Sequence, residues 1–186
     1  MIVIGITGTL GAGKGTIVHY LVKKKNFQHY SVRDFLVEEI KKRGMPVNRD
    51  SMVEVANDLR AKNSPGYIAE ELFEKAENSG KDCVIESIRT EGEINSLRKK
   101  GKFYLFAVDA DPKKRYERVL NRKSSTDSIS FKEFIDNEKR EMQSKDPNKQ
   151  NLSKCISMAD YVFDNNGTVE ELYKKVEDVL DEIRKN

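Results

Sequence analysis

One short stretch near the amino terminus constrains the fold of this chain more than any other. In one-letter code it reads GTLGAGKGT over residues 8–16, after an apolar run at residues 1–7 and before helical periodicity that begins at Ile17. A strand, a glycine-rich loop and a helix in this order predict a phosphate-binding P-loop, because glycines let backbone N–H groups turn inward around phosphate oxygens. The helix adds the positive end of its dipole. The sequence therefore predicts a nucleotide-binding protein.

The side chains of this loop have separate expected roles. Lys14 supplies a mobile cation for the terminal phosphates, and the hydroxyl of Thr16 contacts magnesium (Mg²⁺) or phosphate. The alternative is a glycine-rich turn that binds nothing, although the glycines, the lysine and the hydroxyl are all in register. The predicted nucleotide-binding residues of the loop are Gly8, Leu10, Gly11, Ala12, Gly13, Lys14, Gly15 and Thr16.

The spacing inside the loop carries a resemblance to a known family. The commonest P-loop places Ser or Thr directly after the lysine, whereas here Gly15 stands between Lys14 and Thr16. The resulting form, G-x-x-G-x-G-K-G-T, resembles the loop of adenylate kinase and its relatives among the nucleoside monophosphate kinases. This resemblance implies a small-molecule kinase that uses ATP and Mg²⁺.

Composition limits the compartment and the partners. A chain of 186 residues fits one domain with a proper core, and 34 basic against 31 acidic residues leave a net charge of +3, too little to predict nucleic acid binding. Cys83 and Cys155 give neither a disulfide framework nor metal-site spacing, which favours a reducing cytosol. The sequence indicates no signal peptide and no membrane-spanning run. We expect a cytoplasmic monomer or homodimer without a membrane or nucleic acid partner.

Short apolar strands alternate with amphipathic helices, which is typical of an α/β parallel sheet. Strands are predicted at 1–7, 27–30, 82–86, 103–108 and 161–163, and helices at 14–25, 34–43, 50–62, 66–79, 91–100, 112–122, 131–143 and 169–184. The polar stretches 123–130 and 144–153 are predicted loops. We expect a three-layer α/β/α P-loop NTPase fold with a five-stranded parallel sheet, one kinase domain over 1–186, and a short lid around 123–143.

The end of the third predicted strand carries candidate metal and acceptor ligands. Because ligands bind beyond the carboxyl ends of parallel strands, Glu86 is expected to hold Mg²⁺ and Arg89 to grip an acceptor phosphate bidentately. Glu-Ser-Ile-Arg-Thr over residues 86–90 resembles a one-residue-shorter form of the Asp-Gly-Phe-Pro-Arg-Thr segment of adenylate kinase relatives. The alternative is a surface Glu and Arg at a helix start.

The second strand leads into a segment that departs from the same family. Residues 31–36 resemble its Ser-Thr-Gly-Asp-x-Leu-Arg pattern, in which the final arginine binds the acceptor phosphate, but Val37 stands at that position. Arg33 or Arg60 is the candidate replacement, so the acceptor stays open. Asp34 would be a general base if the acceptor were a hydroxyl, and otherwise it is a plain helix N-terminal acid.

Further arginines and one glycine complete the predicted site. Arg118 and Arg122 lie one helical turn apart on the same face, and Arg140 follows on the next helix. The resemblance implies that these three flank a lid and close over the triphosphate; for each of them a solvated helix face is the alternative. The segment 159–168 resembles dephospho-coenzyme A kinases where they contact adenine, so Gly167 is a candidate nucleotide ligand.

Three functions remain open from the sequence. The first is transfer of the γ-phosphoryl group of ATP to a nucleoside or deoxynucleoside monophosphate. Its acceptor would bind Arg33, Asp34, Arg60 and Arg89, and its catalytic residues would be Lys14, Arg89, Arg118, Arg122 and Arg140. The second is transfer to the ribose hydroxyl of dephospho-coenzyme A, with Asp34 as the base. The third is a nucleotide-dependent ATPase or regulatory factor, since P-loop folds host many functions.

Overall fold

The computed structural model describes residues 1–122 and 129–185, which form a parallel sheet with helices on both faces. The strands are β1 (Val3–Gly8), β2 (Gln28–Ser31), β3 (Cys83–Glu86), β4 (Phe103–Asp109) and β5 (Tyr161–Asp164). Their order in the sheet is β2-β3-β1-β4-β5, and every neighbouring pair is parallel. The predicted α/β fold and five-stranded sheet are confirmed.

Nine helices occur within the described residues. They are α1 (Lys14–Lys25), α2 (Val32–Lys42), α3 (Arg49–Lys62), α4 (Tyr67–Ser79), α5 (Glu91–Arg98), α6 (Pro112–Asn121), α7 (Phe131–Met142), α8 (Leu152–Ser157) and α9 (Val169–Lys185). Local capping explains where several of them begin: Thr90 with Glu93, and Ser130 with Glu133, form reciprocal capping boxes at α5 and α7. None of the helices in the described ranges is both long and apolar enough to span a membrane.

The predicted helices agree with the observed ones to within two residues at each end, and one further helix, α8, was not predicted. Helix α2 begins at Val32 rather than residue 34, because the Ser31 hydroxyl accepts the backbone N–H of Asp34 and caps the helix there. Helix α8 lies partly in the stretch 144–153 that was predicted to be a loop. The Asn151 side chain caps α8, and Leu152 and Cys155 are buried. A helix of six residues is too short for its periodicity to stand out in the sequence.

The structure describes only part of the predicted lid around residues 123–143. Positions 123–128 lie outside the described residues, whereas residues 131–142 form α7. Phe134 of α7 is fully buried and packs against Tyr116 of α6. The described part of the predicted lid is therefore a helix that is docked on the domain.

Alternation along the central strands separates two cores. Val3 and Ile85 face the layer of α2 to α5 and α8, whereas Ile4, Ile6 and Phe106 face the layer of α1 and α9. Successive side chains of a strand point to opposite faces, so both faces of a buried parallel sheet must be apolar. The three-layer α/β/α arrangement follows from this pattern.

The sheet order brings the first and third strands side by side. Ile6 of β1 is in register with Glu86 of β3, so the loop after β1 and the segment after β3 leave the same edge of the sheet together. Helix α1 begins immediately after the loop, at Lys14. Strand pairing therefore joins two predicted functional segments that are about eighty residues apart in the chain.

Two glycines of the loop test how tightly it is held. Gly13 has φ of 111°, and a Cβ there would lie 2.1 Å from Nδ2 of Asn165, whereas a Cβ at Gly15 would meet nothing within 4 Å. We expect Gly13→Ala to lower the free energy of unfolding by about 1–3 kcal/mol through backbone strain alone. Gly15→Ala, inside α1, should raise it by roughly 0.5–1 kcal/mol. Urea unfolding of both variants measures the difference, and equal midpoints would contradict this account of the loop.

Candidate functional site

A cavity of about 610 Å³ opens at the carboxyl edge of the sheet. The loop forms one wall, and α2, α3, the segment after β3 and the end of α7 form the others. The residues that the loop contributes to the wall are Leu10, Gly11, Gly13, Lys14, Gly15 and Thr16. Gly8 and Ala12 lie within the same loop but outside the lining.

The loop is held from behind by the carboxyl ends of β4 and β5. The Asn165 side chain donates to the carbonyl of Ala12 over 2.8 Å, and the Thr9 hydroxyl donates to Asp109 over 2.7 Å. Arg115 donates to the carbonyl of Leu10 over 3.2 Å. No local sequence pattern indicates these supporting roles, because Asn165 lies 153 residues from Ala12 in the chain.

Lys14 turns back onto its own loop. Its ammonium donates to the carbonyls of Gly8 (2.8 Å) and Thr9 (2.9 Å). Burial of the ammonium group, reinforced by the nearby charge of Arg89, lowers the pKa of Lys14 from 10.5 to about 7. A bound anion would favour the charged form, so the site is electrostatically suited to a polyphosphate.

Glu86 and Thr16 offer oxygen ligands to the same cavity. Burial opposes ionisation of Glu86, but a hydrogen bond to Nε2 of His29 (3.1 Å) and the charges of His29 and Lys14 outweigh it, and the pKa of Glu86 falls below 4.5. A carboxylate and a hydroxyl are the hard oxygen donors that Mg²⁺ prefers. The residues therefore fit the predicted metal. His29 is a contact of the site that sequence reasoning missed.

Arg89 points into the cavity and belongs to an ion-pair cluster. Its Nη1 donates to Glu141 over 2.9 Å and to Gln150 over 2.8 Å, and Arg49 pairs with the other oxygen of Glu141. All four side chains line the cavity. Arg49, Glu141 and Gln150 were not predicted from the sequence, since 52 residues separate Arg89 from Glu141 and 92 separate Arg49 from it.

Arg60 reaches the cavity wall but is occupied by a structural contact. Its side chain is only 1% exposed and donates to Glu93 over 2.8 Å. Glu93 also accepts the backbone N–H groups of Arg89 and Thr90. This pairing favours a structural role, because a guanidinium that neutralises a buried carboxylate leaves that carboxylate uncompensated when it moves to a ligand. Arg60 also lines the cavity, and its contact with an acceptor stays a prediction.

The remaining predicted residues divide between the cavity and the surface. Arg33 and Arg122 line the cavity. Arg118 instead donates to the carbonyl of Asn165 over 2.8 Å, and Arg140 lies 3.6 Å from the exposed Asp50. Neither Arg118 nor Arg140 lines the cavity in this structure, and their contacts with a triphosphate stay predictions.

Asp34 and Gly167 also lie away from the cavity lining. Asp34 is exposed in the first turn of α2, where its backbone N–H completes the Ser31 cap. Gly167 sits in the turn before α9, where a Cβ would lie 1.8 Å from the Glu171 carboxylate. Each residue has a local structural role. The contact of Asp34 with an acceptor and the contact of Gly167 with adenine both stay predictions.

Comparison with known proteins places the chain in a family. A family model described as AAA domain matches residues 4–146. The chain belongs to this P-loop family. A UPF0200 protein of Methanocaldococcus jannaschii is 30% identical to it over 189 residues, which cover 100% of this chain and 92% of that protein. The family assignment confirms the predicted P-loop class.

Solved structures show the same fold. Shikimate kinase from Bacteroides thetaiotaomicron aligns with a TM-score of 0.62 at 14% identity, covering 97% of this chain and 98% of that chain. A gluconokinase from Sinorhizobium meliloti 1021 aligns with a TM-score of 0.57 at 12% identity, covering 100% of this chain and 94% of that chain. At these identities the likeness shows the fold alone, which is that of P-loop kinases.

The structural role of Arg60 can be tested against Arg33, which lines the same cavity but is exposed. Arg60→Met leaves Glu93 buried without its cation, so we expect a loss of about 3–5 kcal/mol in the free energy of unfolding. Arg33→Met should leave the urea midpoint unchanged. If Arg60→Met unfolds at the wild-type urea concentration, Arg60 is not a structural residue and remains only an acceptor candidate.

Proposed function

We propose that the chain transfers the γ-phosphoryl group of ATP, in the presence of Mg²⁺, to a nucleoside or deoxynucleoside monophosphate. The observation that carries this proposal is one cavity that is lined both by the loop with Lys14 and by Arg89 of the segment after β3. Phosphoryl transfer between nucleotides depends on positioning and on cations around the transferred group. The kinase names of the structural neighbours agree with a small-molecule phosphotransferase.

The donor would lie on the loop. Backbone N–H groups of residues 8–16 and the dipole of α1 would hold the triphosphate, and Lys14 would leave its two carbonyl partners to contact the terminal phosphates. Thr16 and Glu86 would hold Mg²⁺, which, when bound, offsets charge on the β- and γ-phosphate oxygens. Arg122, which lines the cavity and acts electrostatically on Lys14, would stabilise negative charge that develops during transfer.

The acceptor would lie between the segment after β3 and helices α2 and α3. Arg89 would orient its phosphate, with Arg33 as a second cation at the same cavity. Apolar side chains of α2 and α3 face this half of the cavity and offer a surface for the nucleoside. They are Val32, Leu36, Met52, Val53 and Ala56.

The charges in the cavity favour a phosphate acceptor over a hydroxyl acceptor. A hydroxyl needs a general base, and Asp34, the expected base, is exposed outside the cavity lining. The carboxylates that do line the cavity are Glu86 and Glu141. Burial alone would raise their pKa values, but the hydrogen bond with His29 at Glu86, and the charges of Arg89 and Arg49 at Glu141, hold both pKa values below the ordinary value. Such carboxylates are weak bases, whereas a phosphate acceptor needs arginines rather than a base.

We further propose that residues 1–186 act as a single kinase domain in the cytoplasm, as a monomer or homodimer, without a nucleic acid or membrane partner. The near balance of 34 basic and 31 acidic residues supports the absence of a nucleic acid partner.

The central test is an assay with ATP and Mg²⁺ against all common monophosphates and dephospho-coenzyme A. We expect a phosphorylated monophosphate as product, and we expect Lys14→Ala to keep its fold while turnover falls by about 10²–10³-fold, the scale for losing one preorganised electrostatic group. Wild-type turnover in Lys14→Ala would remove this lysine from the mechanism. ATP loss without any phosphorylated acceptor would favour the ATPase alternative instead.

A pair of variants separates the two acceptor classes. Because Asp34 lies on the surface and Arg89 in the cavity, we expect Asp34→Asn to retain turnover within about twofold. Arg89→Ala should lose turnover by about tenfold or more, since it removes a charge-assisted contact to the acceptor. Initial rates at saturating ATP, compared across acceptor concentrations, give both values. The opposite order would indicate a hydroxyl acceptor with Asp34 as its base.

A further inference from the structure

One buried carboxylate joins two arginines in the acceptor half of the cavity. Glu141, near the end of α7, is 7% exposed, and its two oxygens pair with different guanidinium groups. One belongs to Arg49 at the start of α3, and the other to Arg89 after β3. Gln150 accepts a second hydrogen bond from the same Nη1 of Arg89, over 2.8 Å. Four separate segments thus converge on one fixed cluster.

The cluster keeps a net positive charge, and some N–H donors of its arginines remain available. Two guanidinium groups against one carboxylate carry a net charge of about +1, because arginine stays protonated in proteins. Among the described residues, the side-chain hydrogen bonds of Arg89 all start from Nη1. Each guanidinium has five N–H donors in a planar fork that matches the oxygens of a phosphate or carboxylate. Glu141 therefore holds the two guanidinium groups at a fixed separation and leaves some of their N–H donors available to a ligand.

The face of α3 that carries Arg49 also forms the apolar wall of the cavity. Arg49, Met52, Val53 and Ala56 line the cavity and follow the i, i+3, i+4, i+7 spacing of one helix face. The arginine stands at one end of this face and the apolar side chains continue from it. Val32 and Leu36 of α2 line the same cavity. A molecule with a compact anion and a planar or apolar body fits this order of side chains.

We propose that Arg49 and Arg89, held by Glu141, form the subsite for the phosphate of the acceptor, with the acceptor body on the α2 and α3 wall. Arg49 takes the place of the arginine that the family resemblance led us to expect at Val37, and Glu141 is a positioning residue. That the bound phosphate belongs to an acceptor rests on the proposed phosphoryl transfer. Phosphate binding to the subsite itself can be measured without turnover.

The test measures binding of inorganic phosphate by calorimetry to protein saturated with Mg²⁺ and a non-hydrolysable ATP analogue, so that the loop is already filled. We expect phosphate to bind the wild-type protein. Arg49→Met should weaken it by about tenfold or more, the scale of one charge-assisted hydrogen bond. Glu141→Gln, which keeps the shape but loses the charge that orders both arginines, should weaken it by about fivefold or more.

Arg43→Met is the matched control. Arg43 follows α2 and pairs with Asp58 of α3 over 2.7 Å, so this variant also removes an arginine from an ion pair on α3, but outside the cavity lining. Its phosphate affinity should stay within about twofold of wild type, as expected for a surface pair. Urea unfolding of every variant separates a binding defect from a folding defect, and the affinity for the ATP analogue should be unchanged in Arg49→Met.

Three results would overturn the subsite. They are absence of phosphate binding to the analogue-loaded wild-type protein, an Arg49→Met affinity that falls less than about tenfold, and a Glu141→Gln affinity that falls less than about fivefold or rises. A rise would make Glu141 a competitor for the arginines rather than their support. If phosphate binds as expected but the acceptor assay gives no phosphorylated product, the proposed function fails while the subsite stands.

Discussion

The candidate site depends on a hydrogen bond between the two ends of the described chain. The Asn165 side chain, 7% exposed, donates to the carbonyl of Ala12 over 2.8 Å and holds the glycine-rich loop against the end of β5. A buried amide that loses its hydrogen-bond partner carries the full cost of desolvation, so this contact stabilises the observed position of the loop. Arg118 adds to the same support by donating to the carbonyl of Asn165. The segment that follows the last strand therefore supports the candidate site even though it supplies no lining residue.

The arginines of this domain are divided by their carboxylate partners. Arg60 pairs with the buried Glu93, and Arg115 pairs with Glu138 and lies 3.4 Å from Asp109, whereas Arg49 and Arg89 share one carboxylate. Breaking a buried ion pair is costly, so the arginine of such a pair supports the fold. A two-to-one cluster keeps a net positive charge that an anion can use. The proposed acceptor subsite therefore depends on an excess of arginines over carboxylates in one cluster.

The sequence predicted features that depend on neighbouring residues. The strands, the glycine-rich loop and the capping boxes at Thr90 and Ser130 are set by patterns a few residues long, and the structure has them where they were expected. The partners of those features could not be read in the same way. Glu141 meets Arg49 across 92 residues, and Asn165 meets Ala12 across 153. Contacts between residues so far apart in the chain depend on how the layers of the fold pack, and the local sequence pattern of one segment does not predict that packing.

The segment after β3 shows how backbone strain serves the same arrangement. Ser87 has φ of 73°, a left-handed conformation that costs a residue with a side chain on the order of 1–3 kcal/mol. The turn lets the N–H of Ile88 donate to the carbonyl of Ile6 over 3.0 Å, which extends the pairing of this segment with β1 beyond the strand. Glu86 and Arg89 on either side of the turn both face the cavity. Strain at one residue thus brings a metal-type ligand and an anion-type ligand to the same opening, next to a lysine whose pKa is already lowered to about 7. The proposed phosphoryl transfer would use those three groups together.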